Sequence, residues 1–104
     1  MLDDAVRELQ AIPDREQVAI QVAIEKLRLF GQSLGHPHSS QIKGTTIREL
    51  RPRAGRSPWR AFYQQRGGQI FLIGAIGPEA LHNPRRFQRA VAAAIERMEQ
   101  WEES

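Results

Sequence analysis

Trp59-Arg60-Ala61-Phe62-Tyr63-Gln64-Gln65-Arg66-Gly67-Gly68-Gln69-Ile70-Phe71-Leu72-Ile73-Gly74-Ala75-Ile76 decides the fold. Two β-rich runs, 59–64 and 69–76, flank a Gly-Gly centre, and Gly-Gly is turn chemistry suited to a tight hairpin. The second run is continuously apolar rather than alternating, which predicts the central or most buried strand. Working upstream, Thr45-Thr46-Ile47-Arg48-Glu49-Leu50-Arg51 is β-rich and roughly alternating, a third strand. An Arg-rich loop, Pro52 to Pro58 with Gly55 near its middle, joins it to Trp59. Before it, residues 32–40 are rich in turn formers and read as a loop.

Outside this β region the apolar spacing changes to three and four. Leu2, Ala5, Val6, Leu9 and Ile12 predict a short helix over 2–12, with Asp3 and Asp4 at its positive end. Pro13 stops it, and Asp14 is a natural N-cap for a second helix to Phe30, with Gly31 as its stop. Val18, Ala19, Val22, Ala23, Leu27 and Phe30 form the predicted inward stripe; Ile20, Ile24 and Leu29 lie beside it. Asn83-Pro84 opens a final helix to about Trp101, with Phe87, Val91, Ala94, Ile95, Met98 and Trp101 on one face. The expected architecture is α+β: a small antiparallel β-meander with an N-terminal helical hairpin and one C-terminal helix.

A length of 104 residues sets the expectation of a single domain over 1–104. Hydrophobic content of 40% with 26% charged residues is that of a folded chain. Cysteine is absent, which excludes disulfides, thiolate metal sites and a Cys nucleophile, and fits a reducing cytoplasm. No apolar run is long enough to span a bilayer, and the acidic start is unlike a signal peptide. The net charge of +3 is unevenly spread. Residues 43–66 carry seven basic groups and one acid, Glu49, while the segments on either side are mildly acidic. Arginines outnumber lysines thirteen to two, and a guanidinium forks onto phosphate or carboxylate. A basic block with Trp59, Phe62 and Tyr63 inside it suits a polyanion.

Leu34-Gly35-His36-Pro37, Lys43-Gly44, Glu49-Leu50-Arg51 and Trp59-Arg60-Ala61-Phe62-Tyr63, in that order and spacing, carry a resemblance. Over about residues 15–97 the chain resembles the RelE/HigB-like toxins of bacterial type II toxin–antitoxin systems, most nearly the phage-derived HigB branch. The resemblance implies a RelE-like fold and an mRNA endoribonuclease acting on the translating ribosome without a metal or other cofactor. It also implies a cognate antitoxin, of helix-turn-helix type and encoded next door, and no membrane partner. Two features depart from the pattern. Many relatives have a strand before the first helix, whereas here the helix begins almost at Met1. Where they carry Lys or Arg after the third strand, this chain has Gly77-Pro78-Glu79-Ala80-Leu81-His82-Asn83, and Glu79 would repel a phosphate. Binding without cutting, to RNA or gyrase on a RelE/ParE fold, therefore stays open, as does an inactive prophage-derived remnant.

Metal-independent RNA cleavage needs a base for the 2′-hydroxyl, positive charge at the phosphate and an acid for the leaving oxygen. The expected catalytic set is Arg60, Arg51, Glu49, Tyr63 and His82. Arg60 matches the relatives' aromatic-Arg strand; its alternative is a surface ion pair with Glu49. Glu49 is read as base or as orienter of an arginine, and a carboxylate already paired to arginines is a poor base. Tyr63 is a stacking or proton-donating group, or a cross-strand packing residue. His82 stands where the relatives' cations fall and is a candidate acid or base. Period-two alternation puts Glu49 and Arg51 on one sheet face, Arg48 and Leu50 on the other, and separates Arg60 from Tyr63. Lys43, Arg48, Arg53, Arg56, Arg85 and Arg86 are the expected RNA contacts. His36 and His38, without a carboxylate cluster, are read as loop histidines rather than metal ligands.

Overall fold

The computed structural model describes residues 1–68 and 70–103 of the chain. Four antiparallel strands, β1 (Ser39–Gln41), β2 (Arg48–Leu50), β3 (Trp59–Arg66) and β4 (Ile70–Pro78), lie in the order β1-β2-β3-β4. Helices α1 (Asp3–Gln10) and α2 (Asp14–Phe30) cover one face, and α3 (Pro84–Glu103) covers the other. The α+β meander with three helices is the expected architecture, consistent with a small RelE-like fold.

Each face has its own apolar core. Ala5, Leu9, Ile20 and Leu27 meet Leu50, Ala61, Tyr63, Ile73 and Ile76 on the α1/α2 side. Phe87, Val91, Ala94 and Met98 meet Ile47, Phe62, Leu72 and Ala75 on the α3 side. Phe62 is fully buried, edge-on to Phe87 with ring centroids 5.4 Å apart. Burying such a ring stabilises the fold by about 2–3 kcal/mol. The α3 side is close because β4 carries glycine beneath the helix. A Cβ on Gly77 would lie 2.7 Å from the Ala90 Cβ, nearer than real Cβ atoms approach.

Helix punctuation largely follows the sequence. Asn83 Oδ1 accepts from the Arg86 N–H at 3.1 Å, capping α3, and Gly31 ends α2 at φ +54°. At the start of α2, Pro13 is the cap residue and Asp14 the first helical residue. The hairpin turns at Gly67 and Gly68, both at positive φ; Gln69, which the expectation included in the turn and third strand, lies outside the described residues.

Four differences from expectation have physical reasons. The supposed loop 32–40 ends in a strand, β1, which is short and polar and so lacks an alternating apolar signal. The strand expected over 45–51 is ordered as a ladder only at Arg48–Leu50, because residues 42–47 make the turn from β1. The apolar run 70–78 is an edge strand rather than a central one, yet it is the most buried strand, as the alternative reading had it, because helices cover both its faces. The inward side of α2 is Ala19, Ile20, Ala23 and Leu27, while Val18, Val22, Leu29 and Phe30 face solvent.

The outer edge of β4 is closed without a further strand. The Leu2 N–H donates to the Ile73 carbonyl at 2.9 Å, and the Ile76 N–H donates to Glu8 Oε1 at 3.1 Å. Arg97 donates to the Gly74 carbonyl at 2.9 Å and forks onto both Glu8 oxygens at 3.0 Å. An edge strand with its polar groups satisfied this way offers no template for a second sheet. Among the described residues no helix is long and apolar enough to cross a membrane.

Candidate functional site

The β2–β3–β4 register assembles one charged cluster on the α3 face, beyond the reach of the α3 core. Glu49 pairs with Phe62 across the β2–β3 ladder, and Arg60 lies two residues before Phe62, so both point to the same side. Arg51 follows Glu49 by two and shares that side. Arg51 Nε donates to Glu49 Oε1 at 2.8 Å. Arg60 Nε faces the same oxygen at 3.6 Å, too far for a hydrogen bond, and Arg60 Nη2 lies 3.7 Å from Glu79 Oε2. Two cations and two carboxylates therefore balance.

Arg60 is only 2% exposed. Its Nη1 donates to the Ser57 and Trp59 carbonyls at 2.6 and 3.0 Å, and its Nη2 to the Gly55 carbonyl at 3.5 Å. Burial pushes the guanidinium below its ordinary pKa; Glu49 pulls it back up, Arg51 pushes it further down, and Glu79 pulls it up. The group is thus a strut between the 52–58 loop and the sheet.

That loop is itself held under strain. Arg53 and Ala54 both sit at φ +54°, a left-handed conformation costing roughly 1–2 kcal/mol per non-glycine residue. Glu16 of α2 anchors it, pairing with Arg53 at 3.0 Å and accepting from Ser57 Oγ at 3.1 Å. Ser57 Oγ in turn accepts from the Trp59 N–H at 3.1 Å. Glu16 and Ser57 lay outside the expected site; their signal is long-range and appears only once α2 and the loop are in contact.

The remaining expected site residues divide by face and by end. Tyr63 is buried on the opposite face, its hydroxyl 2.5 Å from Ser39 Oγ and accepting from Arg48 Nε at 3.3 Å. A bulge between Phe62 and Tyr63, where β4 has an extra residue, leaves Tyr63 on the α1/α2 side. Arg48 is committed there too. Lys43 is exposed in the β1–β2 turn, at the far end of the sheet from Arg60. The end where β2 and β4 finish and β3 begins holds the others. Arg53 and Arg56 stand on the 52–58 loop, and Arg85 is exposed in the first turn of α3. Arg86 stacks over the Trp59 ring at 5.6 Å. His82 is exposed between Glu79 and α3. The block of positive charge is thus split: Arg51, Arg53, Arg56, Arg60, Arg85 and Arg86 gather at one end, and Lys43 and Arg48 do not join them. Among the described residues no group of three or more His, Asp or Glu is placed to hold a metal ion.

No curated protein matches the chain. A family model does, over residues 7–76, from within α1 to Ile76 of β4. It stops one residue short of the 77–83 segment that brings Glu79 against Arg60. The chain belongs to the family described as Phage derived protein Gp49-like (DUF891), a family associated with RelE-like toxins.

Proposed function

We propose that the chain is the toxin component of a type II toxin–antitoxin pair and that it acts on messenger RNA at the ribosome, holding the strand through its arginine-rich sheet end rather than cutting it. Family membership supports the toxin class and an antitoxin partner, which on this reading is a helix-turn-helix protein encoded by an adjacent gene. One observation carries the choice of holding over cutting. Arg60, the group best suited by sequence to bear on the scissile phosphate, is buried, its two terminal nitrogens donate to three carbonyls, and two carboxylates already stand 3.6 and 3.7 Å from it. Cleavage needs positive charge that is free to strengthen its interaction as the transition state forms. Around it, Arg56, Arg85 and Arg86 are exposed residues, and Trp59, half-buried against the α1/α2 core with Arg86 over its ring, stands at the same end.

A second reading, metal-independent endoribonuclease, draws on the convergence of Glu49, Arg51 and Arg60 on one face with His82 exposed nearby in sequence. The two readings separate cleanly in one experiment. The full chain is added to translating ribosomes, RNA 5′ ends are mapped and bound message is quantified. Arrested translation with retained, uncut message supports holding. New 5′ ends that vanish with Arg51→Ala or His82→Ala assign cutting. Inhibited supercoiling with untouched translation moves the target to gyrase.

A further inference from the structure

The 52–58 loop takes its shape from a carboxylate on another element. We propose that Glu16 of α2 is a positioning residue for RNA: it holds the loop in the conformation that presents Arg56 to the strand, so its negative charge serves a binding that charge alone would oppose. The inference rests on the reading of the arginine-rich end as the place where RNA is held. The backbone supplies the first observation. Arg53, Ala54 and Gly55 follow one another at φ +54°, +54° and +94°. Glycine adopts such a conformation freely, whereas Arg53 and Ala54 keep it only where their surroundings impose it. Those surroundings belong to the first turn of α2. The Glu16 carboxylate, on a side chain only 14% exposed, lies 3.0 Å from Arg53 Nη1 and accepts from Ser57 Oγ at 3.1 Å. The Arg15 carbonyl accepts from Arg53 Nη2 at 3.4 Å. Both ends of the turn, Arg53 and Ser57, are thus tied to one carboxylate.

The second observation is what the turn carries. The Arg53 carbonyl, whose direction the left-handed backbone sets, accepts from the Arg56 N–H and from Arg56 Nε, each at 3.1 Å. Arg56 is exposed, and among the described residues nothing accepts from its two terminal nitrogens. They are the planar end that forks onto a phosphate. Arg53, engaged by Glu16, is the anchor of the loop, and Arg56 is its phosphate contact. This division gives the proposal a sign. By charge alone a carboxylate beside a phosphate site weakens RNA binding, and its removal strengthens it. A positioning role predicts the reverse: without Glu16 the loop leaves its strained conformation, and affinity falls with the fraction of molecules still competent to bind.

The test compares Glu16→Gln, Ala54→Gly and the double variant in the full chain. Each is titrated with a labelled single-stranded oligoribonucleotide, and amide exchange is followed at Arg56 and Trp59. Glu16→Gln is expected to lose affinity about fivefold or more, the equilibrium factor of one left-handed non-glycine residue. Exchange at both amides should quicken while the paired amides of β3 and β4 keep parent rates. Glycine accepts the left-handed backbone without strain, so adding Ala54→Gly to Glu16→Gln is expected to restore both affinity and slow exchange. Ala54→Gly alone should bind RNA as the parent does. Should Glu16→Gln not fold, Ser57→Ala carries the same test with every charge left in place, its exchange read at Arg56. Tighter RNA binding by Glu16→Gln, or a loss that Ala54→Gly does not recover, overturns the proposal. A parent chain that binds no RNA overturns the RNA-holding reading instead. In that case the exchange rates decide whether Glu16 positions the loop, and rates unchanged by Glu16→Gln overturn that as well.

Discussion

The Arg60 guanidinium lies 3.7 Å from the Glu79 carboxylate, a contact between β3 and the segment that leads from β4 to α3. Glu79 is therefore a counter-charge built into the arginine-rich end. With Arg60 already facing Glu49, a second carboxylate brings the local charge to zero. Glu79→Gln is expected to raise affinity for single-stranded RNA several-fold at low salt, by removing a fixed repulsion to phosphate. The gain shrinks as salt is added, because Glu79 is partly exposed and its field is screened. Anisotropy titrations over a salt series measure this; unchanged RNA affinity would place the bound strand away from Arg60.

Arg60 itself is a question of stability before it is one of chemistry. Arg60→Met leaves Glu49 with Arg51 as its remaining cation and strips donors from the Gly55, Ser57 and Trp59 carbonyls. Removing one partner from a buried ionic group costs roughly 3–5 kcal/mol. Arg60→Lys restores a charge but not the fork, and is expected to recover only part of the loss. Urea unfolding gives the numbers. A variant as stable as the parent that has lost only RNA binding would identify Arg60 as a phosphate contact instead.

Tyr63 is expected to act on the core alone. Its hydroxyl joins Ser39 to Arg48 under the α1/α2 layer, on the face opposite Glu49 and Arg60. Tyr63→Phe is expected to cost about 1–2 kcal/mol, since the buried Ser39 hydroxyl and the half-buried Arg48 lose a partner. RNA affinity and any cleavage rate should stay at parent values. A fall in either at full stability would assign Tyr63 to the site.

The division between what these residues reveal alone and what they reveal together is physical. The Gly31 stop of α2, the Asn83 cap and the Gly67–Gly68 turn depend on neighbours within a few positions and were legible, while the start of α2 was read one residue late, with Asp14 rather than Pro13 as the cap. Strand parity was legible too, so Glu49 with Arg51, and Arg60 apart from Tyr63, followed from period two alone. The inward side of α2 was legible only in part: Ala19, Ala23 and Leu27 are buried as expected, but the helix is apolar on several sides, and only the packed sheet selects Ile20 over Val18 and Val22. The Gly-Pro-Glu stretch signalled a deficit of positive charge, but nothing local says that Glu79 folds back onto Arg60.

Glu8 has a double load at the β4 edge, accepting from the Ile76 N–H and from both arms of Arg97. Glu8→Ala leaves that amide and a half-buried guanidinium without this partner, a loss of about 1–3 kcal/mol. It also uncovers a length of strand edge. Amide exchange at Ile76 is expected to accelerate, and light scattering to show association at concentrations where the parent is monodisperse. Slow exchange at Ile76 in the variant would mean that α1 covers the edge by packing alone.

The closeness of α3 to the sheet makes the sharpest test of packing, because it predicts a rescue. Gly77→Ala puts a methyl group 2.7 Å from the Ala90 Cβ and 3.3 Å from the Phe62 ring. Both neighbours are short or buried, so the strain is expected to cost about 1–3 kcal/mol. Ala90→Gly by itself costs about 1 kcal/mol, from helix propensity. Together the two substitutions exchange which backbone carries the methyl group, and the double variant is expected to be more stable than the sum of the single losses. A coupling of roughly 1 kcal/mol or more in a double-mutant cycle would confirm that helix and strand meet at this pair. Strict additivity would mean that α3 can shift to admit the methyl, and that the start of α3, with Arg86 over Trp59, is free to move with it.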